Sequence, residues 1–202
     1  MNDHSNFDVA TRIAAGDDRT NYDNVAISLH WATALLVLFQ FASAETWDWL
    51  SKPARHTMEG LHVSLGIVLT AVIVARVVWR LMPGHQRSSI VSGWVEMASK
   101  AVHYLLYALL IVQAGLGFAF RWAQGEPLSF FGLFAIPSPL GVIGKPTRHT
   151  LHDLHEKAGW AIIILALGHA LAAIYHHYAL HDRVLGRMLP LARRSEREAP
   201  TG

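Results

Sequence analysis

Four stretches of the chain, 24–44, 60–82, 100–121 and 150–180, are dominated by apolar residues, with polar sequence between them. Asp, Glu, Lys and Arg are absent from 24–44, 101–120 and 158–180, and the second stretch carries only Arg76 and Arg80, near its end. A helix needs about 20 residues to cross the hydrocarbon of a bilayer, and each stretch is about that long. Long cationic side chains near a helix end reach out to the interface, so Arg76 and Arg80 do not break the pattern. The pattern predicts an all-α membrane protein, a four-helix transmembrane bundle. Its parts are an N-terminal tail over 1–23, the helical domain over 24–182 and a basic C-terminal tail over 183–202. Four crossings place both termini on one side. The connection 121–149, rich in Gly, Pro and Phe ("GEPLSFFGLFAIPSP"), is expected to pack as a cap over the bundle. Neither a low-complexity tract nor an internal repeat is evident at this level.

Composition supports this class. Of 202 residues, 52% are hydrophobic and 16% charged, whereas a soluble domain carries about a quarter charged residues. The mean hydropathy is +0.26. Residues 1–24 lack a cationic segment leading into an apolar core, so they do not read as a cleaved signal peptide. Lys and Arg distribute unevenly. Eleven lie in the two tails or around the connection between the second and third helices, and six lie in the other two connections. The positive-inside rule then puts both termini of this multi-pass protein in the cytoplasm. The formal net charge of +2 fits this topological bias, and no basic patch interleaved with aromatics suggests nucleic acid.

The candidate chemistry comes from histidine. The chain has no cysteine, which excludes disulfides, thiolate zinc sites, cysteine-ligated iron–sulfur clusters and covalently attached c-type haem, but it has 13 histidines. Polar side chains within a bilayer are costly and usually functional. His155 and His169 are fourteen residues apart, which returns them to within about 40° of one helical face and separates them by about 21 Å. His62 opens the second helix at the outer level, and His30 lies near the cytoplasmic start of the first. Antiparallel threading therefore pairs His62 with His155 outside and His30 with His169 inside. Two imidazoles at each of two depths, in apolar surroundings, are what two bis-histidine b haems require. His103, at the inner level of the third helix, is the rival that would replace His30 or His169.

The segments "SLHW" (28–31), "LHVSLG" (61–66), "GEPLSFFGL" (125–133), "LHEKAG" (154–159), "LGHALAAIYHHY" (167–178) and "GRMLP" (186–190) resemble the bacterial cytochrome b561 family, in particular its superoxide oxidase branch. That resemblance implies a four-helix bundle with two b haems as cofactors, ligand positions at His30, His62, His155 and His169, and transfer of electrons from superoxide outside to ubiquinone inside. Lys157, Arg148 and Arg121 are then candidates to guide the anion, although the outer segments hold as many acids as bases. Trp31, Arg76 and His103 are candidate contacts to quinone or a haem edge. Two other readings compete. One is a cytochrome b subunit serving a partner dehydrogenase or hydrogenase. The other is a haem-free carrier that binds metal through its histidines.

Overall fold

The computed structural model describes residues 24–83 and 93–179, and both expected tails lie outside the described residues. Helix α1 is Asn24–Thr46, followed by one 3-10 turn at Trp47–Trp49. Helix α2 is Lys52–Leu81 and α3 is Trp94–Ala123. A short antiparallel hairpin, β1 (Leu128–Phe130) with β2 (Phe134–Ile136), precedes helix α4, Lys145–Tyr178. All four helices are long and apolar enough to cross a membrane.

The helices extend beyond the apolar stretches that predicted them. α2 starts at Lys52 instead of 60, and α4 at Lys145 instead of 150. Each begins with proline in its first turn, where the missing N–H costs nothing. Hydropathy locates the lipid-crossing part of a helix and passes over a polar first turn that stands in the aqueous layer.

The interior is narrow. Ile73, Leu110 and Ile162, from α2, α3 and α4, are buried together at mid-height, with Val37, Leu69, Val77 and Leu109 packed around them. Large apolar residues such as Leu35, Leu38, Ile164 and Leu167 point outward, as lipid-facing positions do. The cap expected from the sequence is present and anchored. Ser64 on α2 accepts the Phe131 N–H at 2.9 Å and lies 3.1 Å from the Ser129 carbonyl, tying the hairpin to the bundle. Phe131 (φ 48°) and Gly132 (φ 72°) turn the hairpin with consecutive positive φ, closed by the Leu133 N–H to the Phe130 carbonyl at 2.9 Å.

Aligning the two helical hairpins position by position brings out an internal repeat that the hydropathy pattern does not display. The start of α2, "KPARHTMEGLHVSLG" (52–66), and the start of α4, "KPTRHTLHDLHEKAG" (145–159), agree at eight of fifteen positions. Their local geometry matches as well. Thr57 donates to the Pro53 carbonyl and Thr150 to the Pro146 carbonyl, both at 3.1 Å. Upstream, His30 and Gln40 on α1 are ten residues apart, as are His103 and Gln113 on α3. The hairpins α1–α2 and α3–α4 therefore carry corresponding residues: His30 with His103, Gln40 with Gln113, His62 with His155, Gly66 with Gly159, and Arg76 with His169. The connection within the second hairpin is twenty residues longer, so no single sequence period exposes the duplication.

Candidate functional site: two levels of histidine

The corresponding positions bring four histidines into two pairs along the bundle. At the end that carries the α1–α2 and α3–α4 connections, the rings of His62 and His155 lie 6.3 Å apart between centroids. Toward the end where α1 begins and α4 finishes, His30 and His169 lie 6.4 Å apart. Two imidazoles bound to one metal from opposite sides, each about 2 Å from it, would have centroids about 6.2 Å apart once about 1.1 Å from nitrogen to ring centre is added on each side. Both pairs are thus spaced for a six-coordinate iron. His103 contacts His169 at 4.9 Å between centroids, too close for the two to bind one iron from opposite sides.

Surrounding hydrogen bonds orient the connection-end pair. His155 Nδ1 lies 3.2 Å from the Gln113 carbonyl, so Nδ1 carries the proton and donates. The Gln113 amide Nε2 lies 3.3 Å from His155 Nε2, which agrees with a lone pair there. Ser43 donates to the Gln40 carbonyl at 2.9 Å, so its oxygen is free to accept from His62 Nδ1 at 3.0 Å. Both histidines then carry the lone pair on Nε2, the tautomer that a metal-binding histidine takes when its other nitrogen donates to an outer partner, and ligation through His155 Nε2 would require the Gln113 amide to release it. Gln40 also donates to the His62 carbonyl at 2.9 Å, linking α1 to α2. A glycine permits the close approach on the other hairpin. A Cβ at Gly117 would stand 2.9 Å from His155 Cε1.

The opposite end is less symmetric. Arg76 holds the place that corresponds to His169, and its Nη2 lies 3.0 Å from His30 Nδ1. Arginine only donates, so His30 Nδ1 accepts in this contact. Ligation of His30 through Nε2 would require Arg76 to release it. Arg76 also stands over the Tyr107 ring at 5.2 Å, and Trp31 packs edge-on against His30 at 5.7 Å. His103 donates Nδ1–H to the Ser99 carbonyl at 2.6 Å. The residues considered for a quinone thus gather around the His30–His169 level.

At the connection end, Lys157 is exposed and Arg148 is half-buried, with a buried Nε that has no hydrogen-bond partner among the described residues. Arg121 is paired with Glu126 at 2.5 Å, so much of its charge is already answered. Sequence reasoning missed Ser43, Gln40, Gln113 and Ser64. Ser43 and the two glutamines are uncharged residues inside apolar stretches, and only their spacing from the histidines marked them.

A membrane-spanning helical bundle that holds paired imidazoles at two depths has the build of a b-type membrane cytochrome. The comparisons with known proteins agree. A family model for prokaryotic cytochrome b561 matches residues 21–191, and the chain belongs to that family. Its relatives include cytochrome b561 homolog 2 of Escherichia coli (strain K12), 32% identical over 83% of this chain and 90% of that protein. Cytochrome b562 of Cereibacter sphaeroides is 29% identical over 83% of this chain and 94% of the relative. A probable superoxide oxidase, CybB, of Yersinia pestis is 28% identical over 85% and 97%. The protein is therefore a bacterial membrane electron-transfer protein of a family that carries b-type haem. This membership sets aside the haem-free carrier reading.

Proposed function

We propose that the protein is a di-haem superoxide:ubiquinone oxidoreductase with both termini in the cytoplasm. Two superoxide ions would each give up one electron at the periplasmic face and leave as oxygen. One ubiquinone would take up the two electrons with two protons and leave as ubiquinol. Bound b haem supplies the one-electron redox chemistry; the protein sets its ligation, surrounding charge and access.

The observation that carries the reading is the spacing of the two histidine pairs, 6.3 and 6.4 Å, in a chain similar to a probable superoxide oxidase. His62 and His155 would hold the haem near the periplasm, and His30 and His169 the one near the cytoplasm. Ser43 and the Gln113 carbonyl fix the outer rings so that Nε2 carries the lone pair. Lys157, Arg148 and Arg121 would favour approach of an anion, with Lys157 the most accessible and Arg121 weakened by Glu126. At the cytoplasmic level Arg76 has N–H groups to donate to a quinone oxygen, and Trp31 offers a flat apolar wall. His103, with its Nδ1–H held by Ser99, presents Nε2 as the atom that takes up and hands on a proton.

The test is to mix oxidised, haem-loaded protein with superoxide and a soluble ubiquinone analogue. Reduction of the visible haem bands followed by quinol formation is expected. A second reading, an electron-transfer subunit docked to a partner dehydrogenase or hydrogenase, draws on the exposed apolar side chains of the cap, Leu133, Phe134 and Val142. Haem bands that superoxide leaves oxidised would favour that reading.

A further inference from the structure

The two copies of the repeat differ on the helix face beside the connection-end histidines. On α2 the face beside His62 carries Glu59, Gly60 and Val63, and Glu59 is spent on an ion pair with Arg55 at 2.8 Å. The corresponding positions on α4 are His152, Asp153 and Glu156. A helix start of this type thus folds without those three, so the fold alone does not call for them. Asp153 and Glu156 also lie beyond the first turn of α4, where the helix dipole would account for acids.

The three side chains converge. One nitrogen of His152 and one carboxylate oxygen each from Asp153 and Glu156 lie within 4.8 Å of one another. His149 joins from one turn earlier, with Nδ1 3.2 Å from Asp153 Oδ1, and His152 Nδ1 lies 3.7 Å from the same oxygen. Positions 149, 152, 153 and 156 form a single stripe, because helix residues three, four and seven apart share a face. The His152 ring packs edge-on against Phe120 of α3 at 5.2 Å, which orients the imidazole from outside the cluster. The cluster stands at the exposed connection end and is separate from the interior histidine pairs.

We infer that His152, Asp153 and Glu156, with His149 as an alternative fourth donor, form a surface site for a borderline divalent cation such as zinc. Mixed imidazole and carboxylate donors suit that class, whereas calcium and magnesium prefer oxygen alone. Three protein ligands leave a position for water, and a small rotation of the exposed side chains closes 4.8 Å to bonding separations near a metal. The site is independent of the proposed reaction, because its ligands take no part in holding haem or quinone.

The test is calorimetric titration of the haem-loaded full-length protein in detergent with zinc chloride. One saturable zinc per chain is expected. The double variant Asp153→Asn with Glu156→Gln should weaken it about tenfold or more, the scale on which metal sites respond to loss of supporting groups. His56→Ala, altered at the α2 counterpart of His149, should bind zinc like the parent. The haem spectrum reports that each variant is folded, and His152→Gln supplies a second disruption if the double variant loses it. Absence of saturable binding, or equal binding in the parent and the disrupted variants, would overturn the site.

Discussion

At the scale of single residues, the arrangement separates histidines that face a common centre from histidines that only neighbour it. His169 stands 6.4 Å from His30 and 4.9 Å from His103, and only the first separation suits two ligands on opposite sides of one iron. His169→Ala should therefore lower the haem content from two per chain to one, while His103→Ala should retain both. Haem quantified per chain by absorbance distinguishes these outcomes, and two haems in His169→Ala would remove it from the ligand set. Ser43 acts through His62. Ser43→Ala removes the acceptor for His62 Nδ1–H, makes the imidazole a poorer donor and should raise the midpoint potential of one haem while leaving the other in place. A redox titration followed in the visible bands reads this directly, whereas a purely structural role for Ser43 would disturb both potentials or neither. These roles were only partly legible in the sequence. The four histidines drew attention because polar groups in apolar stretches stand out, but Ser43 is an ordinary helix residue until its neighbour across the bundle is known.

Between elements, the Ser64 side chain hydrogen-bonds the cap to α2. Ser64 is buried; its oxygen accepts the Phe131 N–H, and its one hydroxyl proton is shared between the Gly60 carbonyl at 2.8 Å and the Ser129 carbonyl at 3.1 Å. Its counterpart on α4 is Lys157, which is exposed. The two sides of the connection end thus differ, one tied down by the hairpin and the other left with a cation. Ser64→Ala would take away the partner of the Phe131 N–H, at a cost of about 1 kcal/mol for a half-buried hydrogen bond. Faster hydrogen exchange at 128–136, with α4 unchanged, is the expected readout. A hairpin exchanging as slowly as in the parent would show that other contacts hold it. The sequence indicated a packed cap from its Gly, Pro and Phe content. It did not indicate which residue clamps it, because the bond spans more than sixty residues of chain.

For the whole molecule, the proposed orientation follows from charge. An absence of cysteine makes it simple to examine, since a single introduced thiol is the only one present. Ser51→Cys, in the α1–α2 connection, should react in intact cells with a membrane-impermeant maleimide once the outer membrane is permeabilised. Ser99→Cys, near the start of α3, should react only after the inner membrane is opened. The reverse pattern would invert the protein and move the site of superoxide oxidation to the cytoplasmic face.

The sequence by itself determined the class, the four spans and the level of His30, His62, His155 and His169 along them, because hydropathy and helical rise are local properties that need no knowledge of neighbours. Tertiary structure decided which histidines face each other and which serine and carbonyl hold their protons. Those features depend on distances across the bundle between residues far apart in the chain, and no local pattern encodes such distances.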